Sequence, residues 1–70
     1  MKNILIIGSG GREHAIGWKL RQSPEVGELY FATGNAGTAT IGTNVPITGS
    51  DIKACLEFAV SHNIHMVVVG

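Results

Sequence analysis

Ile4-Leu5-Ile6-Ile7 runs straight into Gly8-Ser9-Gly10-Gly11 and on into Arg12-Glu13-His14-Ala15, and how this join is read decides the fold. Four consecutive apolar residues, mostly β-branched and ending at glycine, describe a strand covered on both faces, as strands of parallel sheets are. From Arg12 the pattern turns helical over residues 12–22, with Ala15, Ile16, Lys19 and Leu20 at spacings of three and four until Ser23-Pro24 ends it. Strand, glycine loop and helix follow one another within two dozen residues, the opening of a parallel α/β unit.

Working outward, residues 28–32 form a second short strand, and Thr33-Gly34-Asn35-Ala36-Gly37-Thr38 after it is dense in turn formers. Residues 44–47 make a weaker extended segment whose Pro46 assigns it to a sheet edge. Ser50 or Asp51 caps a second helix with Ile52, Cys55, Leu56, Ala59 and Val60 at the spacing of one buried stripe. Residues 64–70 repeat the opening pattern, an apolar run ending in Gly70. The fold class expected is α/β, a Rossmann-like open parallel sheet in the order 3-2-1-4, with helices on both faces. Ligands of such sheets bind beyond the carboxyl ends of the strands where the winding reverses. Gly8 and Gly70 are expected at that crevice.

The 70 residues allow at most one domain, and a marginally stable one. A domain that stops after its fourth, central strand is expected to be a fragment, so residues 1–70 are read as one incomplete domain without repeats or linkers. Hydrophobic residues make up 44% and charged ones 14%, and five basic side chains balance five acidic ones. Without a basic cluster there is no electrostatic footprint for nucleic acid or an anionic membrane, so a small-molecule partner is favoured. The lone Cys55 suits a reducing compartment, and the short apolar run after Lys2 is neither a signal peptide nor a membrane span. A cytoplasmic protein is expected.

Three glycines between strand and helix allow backbone conformations and approaches that a Cβ would block. The N–H groups of the following helix then face the crevice with partial positive charge, a setting for a phosphate. The bland alternative is a tight turn that binds nothing. The dinucleotide pattern G-x-G-x-x-G begins at Gly8 and Gly10 but meets Glu13 where its third glycine belongs. An acidic residue for the ribose is also missing near the end of the second strand, where Phe31-Ala32-Thr33-Gly34 stands. Both departures argue against a nicotinamide cofactor, and no Gly-Lys-Ser or Gly-Lys-Thr supplies a P-loop.

Gly8-Ser9-Gly10-Gly11-Arg12-Glu13-His14-Ala15 after the first strand and Gly34-Asn35-Ala36-Gly37-Thr38 after the second together closely resemble the N-terminal domain of the glycinamide ribonucleotide synthetases, also called phosphoribosylamine glycine ligases. Trp18-Lys19-Leu20, Gln22-Ser23-Pro24, Asn44-Val45 and Val68-Val69-Gly70 extend the resemblance over nearly the whole chain. It implies the leading, pre-ATP-grasp part of an ATP-grasp ligase of purine biosynthesis. Such an enzyme joins glycine to 5-phosphoribosylamine, giving glycinamide ribonucleotide, ADP and phosphate, through a glycyl phosphate attacked by the sugar amine. ATP and its magnesium or manganese would then be held by the ATP-grasp and C-terminal domains, which this chain lacks. No catalytic residue or metal ligand is expected in this segment, which alone should be inactive. Its task would be to help bind the phosphoribosyl substrate.

Carried over by position, the resemblance assigns substrate binding to Gly8, Ser9, Gly10, Gly11, Arg12, Glu13, His14, Asn35, Gly37 and Thr38. The amides of Gly10 and Gly11 would face the phosphoribosyl group, Arg12 would bond its phosphate, and Glu13 would accept from sugar hydroxyls or the amine. A solvated first turn, with Glu13 complementing the helix dipole, is the plain alternative for that pair. His14 is read first as a packing or hydrogen-bonding residue, and the loop from Asn35 to Thr38 equally as a turn capping a short helix. His62 and His65 are assigned to the carbonyls at a helix end, Trp18 and Cys55 to the core. Gly17, at a cost of ~1 kcal/mol against alanine inside a helix, is expected to permit close packing on the sheet. An NAD(P)-binding domain of an oxidoreductase and a non-catalytic ligand-binding module remain the competing readings.

Overall fold

The central strand β1 (Lys2–Gly8) carries the least exposed run of the chain, with Ile4, Leu5 and Ile6 all buried. Alternating side chains of a strand reach opposite faces, so both faces of β1 must be covered, and they are. The computed structural model describes residues 1–69, and in it α1 (Gly11–Arg21), β2 (Val26–Thr33), a one-turn 3-10 helix (Thr38–Thr40), β3 (Thr43–Val45), α2 (Ile52–Ser61) and β4 (Ile64–Val69) follow β1. The strands form one parallel sheet in the order β3-β2-β1-β4. The expected fold class and strand order hold. Expected and observed element boundaries differ by at most two residues, and Gly70 lies outside the described residues. None of the described helices is long and apolar enough to cross a membrane.

On one face Ile4, Ile6, Val26, Leu29 and Phe31 form a cluster beneath Ile16 and Leu20 of α1. On the other, Leu5, Ala32 and Val45 pack with Phe58 of α2. Burying each of these side chains larger than alanine is worth about 2 kcal/mol. The inward stripe of α1 is Glu13, Ile16, Gly17 and Leu20, and Ala15 and Lys19 of the expected stripe point to solvent. Gly17 gives the reason. The ring of Phe31 fills the space its Cβ would need, with Ile41 close by, so the sheet approaches α1 along Gly17 and turns the helix accordingly. Trp18, expected in the core, is 57% exposed because it follows Gly17 onto the outer face.

Helix propensity alone predicts that Gly17→Ala gains about 1 kcal/mol, whereas overpacking against Phe31 costs about 1–3 kcal/mol. The net effect expected is destabilisation. Urea unfolding measures it, and a midpoint higher than that of the parent chain would show the packing account to be wrong.

Asp51 caps α2, its carboxylate accepting from the Ala54 N–H at 3.1 Å. The expected stripe of this helix is corrected more strongly. Cys55 is buried as expected, but Ile52, Leu56 and Val60 are 70%, 62% and 81% exposed, and Phe58 is buried instead. Phe58 stacks on His62 with ring centres 3.8 Å apart and meets Tyr30 edge-on at 5.0 Å, and this aromatic contact rolls α2 toward β2. β4, expected as an apolar strand that still needs a helix to cover it, is the outermost strand on its side of the sheet, with Met66, Val67 and Val69 exposed.

Asn3 stitches the amino ends of the strands where both pairings of β1 shift register. Its side chain accepts from the Glu28 N–H at 3.0 Å and donates to the carbonyls of His62 and Asn63. His62 sits at the carboxyl end of α2, with Nδ1 3.1 Å from the Phe58 carbonyl, as anticipated. His65 does something else: within β4, its Nδ1 accepts from the Asn3 N–H at 3.0 Å.

Candidate functional site

The loops after β1 and β2 leave the carboxyl ends of adjacent strands and meet above them. Gly8, the last residue of β1, pairs in register with Thr33, and its carbonyl accepts from the Gly34 N–H at 3.0 Å. Its φ of 144° lies where side chains are disfavoured. The Glu13 side chain fills the space a Cβ on Gly8 would take. Glycine is thus required here both by conformation and by a close neighbour.

Gly10 is the N-cap of α1, and its N–H donates to Glu13 Oε2 at 2.9 Å. A glycine offers no capping side chain, so this bond from the third helical residue back to the cap is the one reciprocal half of a capping box that exists. Glu13 is 6% exposed. Its carboxylate is folded into the loop at the position where a dinucleotide-binding turn has its last glycine. The Gly10 amide is therefore committed internally. The amides of Gly11, Arg12 and Glu13 open the helix, where α-helical geometry leaves no intrahelical acceptor for them. Gly11 and Arg12 are exposed, as is Ser9.

The second loop is tied to the first. Asn35 Nδ2 donates to the Ser9 carbonyl at 2.8 Å and lies 3.3 Å from that of Gly10, and Asn35 Oδ1 accepts from the Thr38 N–H at 3.0 Å. Gly37 lies against the ring of His14, which occupies the space a Cβ would need, so His14 is a half-buried packing residue between the loops. Thr38 is fully buried and begins the 3-10 helix. All ten residues singled out in the sequence thus fall at two touching connections, from the end of β1 into the first turn of α1 and from β2 into the 3-10 helix. Gly8, Glu13 and Thr38 have their side chains or backbone turned to internal contacts, while Gly11 and Arg12 face outward.

The residue that sequence reasoning gave no role is Asn44. In the middle of β3, its Nδ2 donates to the Asn35 carbonyl at 2.8 Å and its Oδ1 accepts from the Thr38 hydroxyl at 2.6 Å. One signal was present, since asparagine is depleted from strands and its occurrence inside one asks for a reason.

Two concavities lie elsewhere, along α2. One of about 770 Å³ is lined by Ile47, Leu56, Phe58 and Val60 among others, and one of about 250 Å³ by Leu5, Ile7, Cys55 and Val67 among others. Their walls are mostly carbon and contain no basic side chain. A shallow hollow of about 290 Å³ borders the loop at Gly11, His14, Ala15 and Trp18.

Residues 2–70 match the family described as phosphoribosylglycinamide synthetase, N domain. Among curated relatives, the phosphoribosylamine–glycine ligase of Yersinia pestis is 57% identical over 97% of this chain and 16% of its own length. That of Rhodopirellula baltica is 48% identical over 97% of this chain and 16% of its own. The trifunctional purine biosynthetic protein adenosine-3 of Gallus gallus is 49% identical over 96% of this chain and 7% of its own. The chain therefore spans about a sixth, or less, of the length of these relatives. With its two loop signatures on one crevice and the match covering the parallel sheet from end to end, the chain belongs to the phosphoribosylglycinamide synthetase N-domain family.

Proposed function

We propose that this chain is the leading domain of a phosphoribosylamine–glycine ligase and that its glycine loop holds the phosphoribosyl substrate. The whole enzyme would join glycine to 5-phosphoribosylamine at the expense of ATP, in purine biosynthesis. The observation that carries the reading is the open first turn of α1 at the carboxyl end of β1, where Gly11 and Arg12 are exposed and helical geometry leaves their amides without intrahelical acceptors. The Arg12 side chain stands beside them and suits a charge-assisted bond to phosphate. Because Glu13 takes the Gly10 amide, the phosphate is assigned to Gly11 and Arg12, and Glu13 becomes a brace of the loop rather than a substrate contact.

The relatives named above carry this activity or this pathway in their names, which supports the assignment of the whole protein. Among the described residues no group of three or more His, Cys, Asp or Glu side chains gathers to hold a metal ion. By the resemblance to the ligases, ATP and its magnesium or manganese are assigned to parts of the enzyme outside this chain, and the protein to the cytoplasm, with small molecules as its partners.

Arg12→Ala in the full-length enzyme tests the reading. The KM for phosphoribosylamine should rise about tenfold or more, in line with loss of a hydrogen bond to a charged group, while the KM for ATP should hold within about twofold. Equal changes in both would remove Arg12 from the phosphate site. Binding of NADH with no response to ribose 5-phosphate would remove the ligase reading altogether.

A further inference from the structure

We infer that Asn44, on the edge strand β3, is a positioning residue for the phosphorylated sugar, acting on the glycine loop through Thr38 and Asn35. The inference rests on the phosphoribosyl reading of the crevice and adds a residue that touches no ligand. Each link is a hydrogen bond. Asn44 is fixed by its place in β3, in register with Phe31 of β2. Its side chain holds the Asn35 carbonyl at 2.8 Å and the Thr38 hydroxyl at 2.6 Å. That hydroxyl also accepts from the Asn35 N–H at 2.7 Å. Held from below in this way, Asn35 carries its own side chain across to the carbonyls of Ser9 and Gly10.

Gly10 is the N-cap of α1, so the far end of the chain of bonds sets the direction of the Gly11 and Arg12 amides. Gly34 closes over the network in a left-handed conformation, φ 80°, with Asn44 and Thr38 in the space a Cβ would fill. Thr38 is fully buried, and both polar atoms of the Asn44 side chain are satisfied internally. Burial keeps Thr38 from substrate, and Asn44 is engaged within the network. What the pair controls is the separation of the two loops, and misplacement of a binding group by about an ångström is enough to cost affinity severalfold or more.

The experiment compares Asn44→Ala with Arg12→Ala in the full-length enzyme, reading KM for phosphoribosylamine, KM for ATP and kcat, with calorimetric binding of ribose 5-phosphate as a second measurement. Asn44→Ala should raise the amine KM and weaken ribose 5-phosphate about tenfold, leaving the KM for ATP within about twofold. Thr38→Val, which keeps shape and loses the hydroxyl, should act in the same direction, and Thr38→Ser should retain more affinity than Thr38→Val. This pair also carries the test where Asn44→Ala does not fold. A merely structural role would lower the active fraction and leave both KM values alone, and that result overturns the inference. If Arg12→Ala weakens the amine and Asn44→Ala does not, the inference fails while the phosphoribosyl reading stands. Should Arg12→Ala spare the amine and ribose 5-phosphate fail to bind the parent enzyme, the reading itself fails.

Discussion

Gly8→Ala is expected to destabilise the domain by about 3 kcal/mol, the sum of backbone strain at a disfavoured φ and displacement of a buried side chain. At φ 144° the new methyl group would sit 2.6 Å from Glu13 Cδ and 2.7 Å from Oε1. Glu13 can move away only by giving up the Gly10 N–H and its buried position. The two costs can be separated. Removing the Glu13 side chain as well, in Gly8→Ala with Glu13→Ala, relieves the collision but not the backbone strain. The double variant should therefore be more stable than the sum of the singles predicts, by about 1 kcal/mol. Urea unfolding of the four proteins measures this coupling. Strict additivity would mean that Glu13 does not brace the turn as the geometry indicates.

Phe31→Ala should cost about 4 kcal/mol, the range for emptying a buried aromatic site. Phe31 is fully buried in the middle of β2, and its ring fills the gap left by Gly17 in the helix above. A domain of this size has roughly 4–10 kcal/mol of stability in all, so the variant should lose most or all of its cooperative urea transition. Leu56→Ala is the contrasting case, because Leu56 is 62% exposed and its removal should cost under about 1 kcal/mol. If Leu56→Ala cost as much as Phe31→Ala, the stripe expected from spacing would be the buried one after all, and the orientation found for α2 would be wrong.

The contrast between these positions shows how far a pattern can be followed. Residues 4–7 announce a doubly covered strand because four apolar side chains in a row must reach both faces, and Ile4, Leu5 and Ile6 are buried accordingly. Pro46 announced an edge, and β3 ends just before it at the rim of the sheet. Helical spacing likewise located α2, and of the two caps offered, Ser50 and Asp51, the structure uses Asp51. Spacing did not reveal which apolar residues would be buried, since Ile52, Leu56 and Val60 fit a stripe as well as Phe58 does. The stack of Phe58 on His62 and its edge contact with Tyr30 settled that by rotating the helix.

At the site the division is similar. The residue types of both loops were legible, and so was their proximity, because adjacent parallel strands deliver their loops to one edge of the sheet. The uses of individual atoms were not. That the Gly10 amide turns to Glu13, that Asn35 bridges to Ser9 and that Asn44 supports both Asn35 and Thr38 are contacts between loops, and no local pattern encodes them. Sequence by itself determined the succession of elements, the parallel sheet, its strand order and the family, because these follow from periodicity, turn residues and motif separation along the chain. Tertiary structure alone decided which amides remain open, which helix faces are buried and which side chains brace the turn, because hydrogen-bond directions and side-chain packing depend on partners distant in sequence.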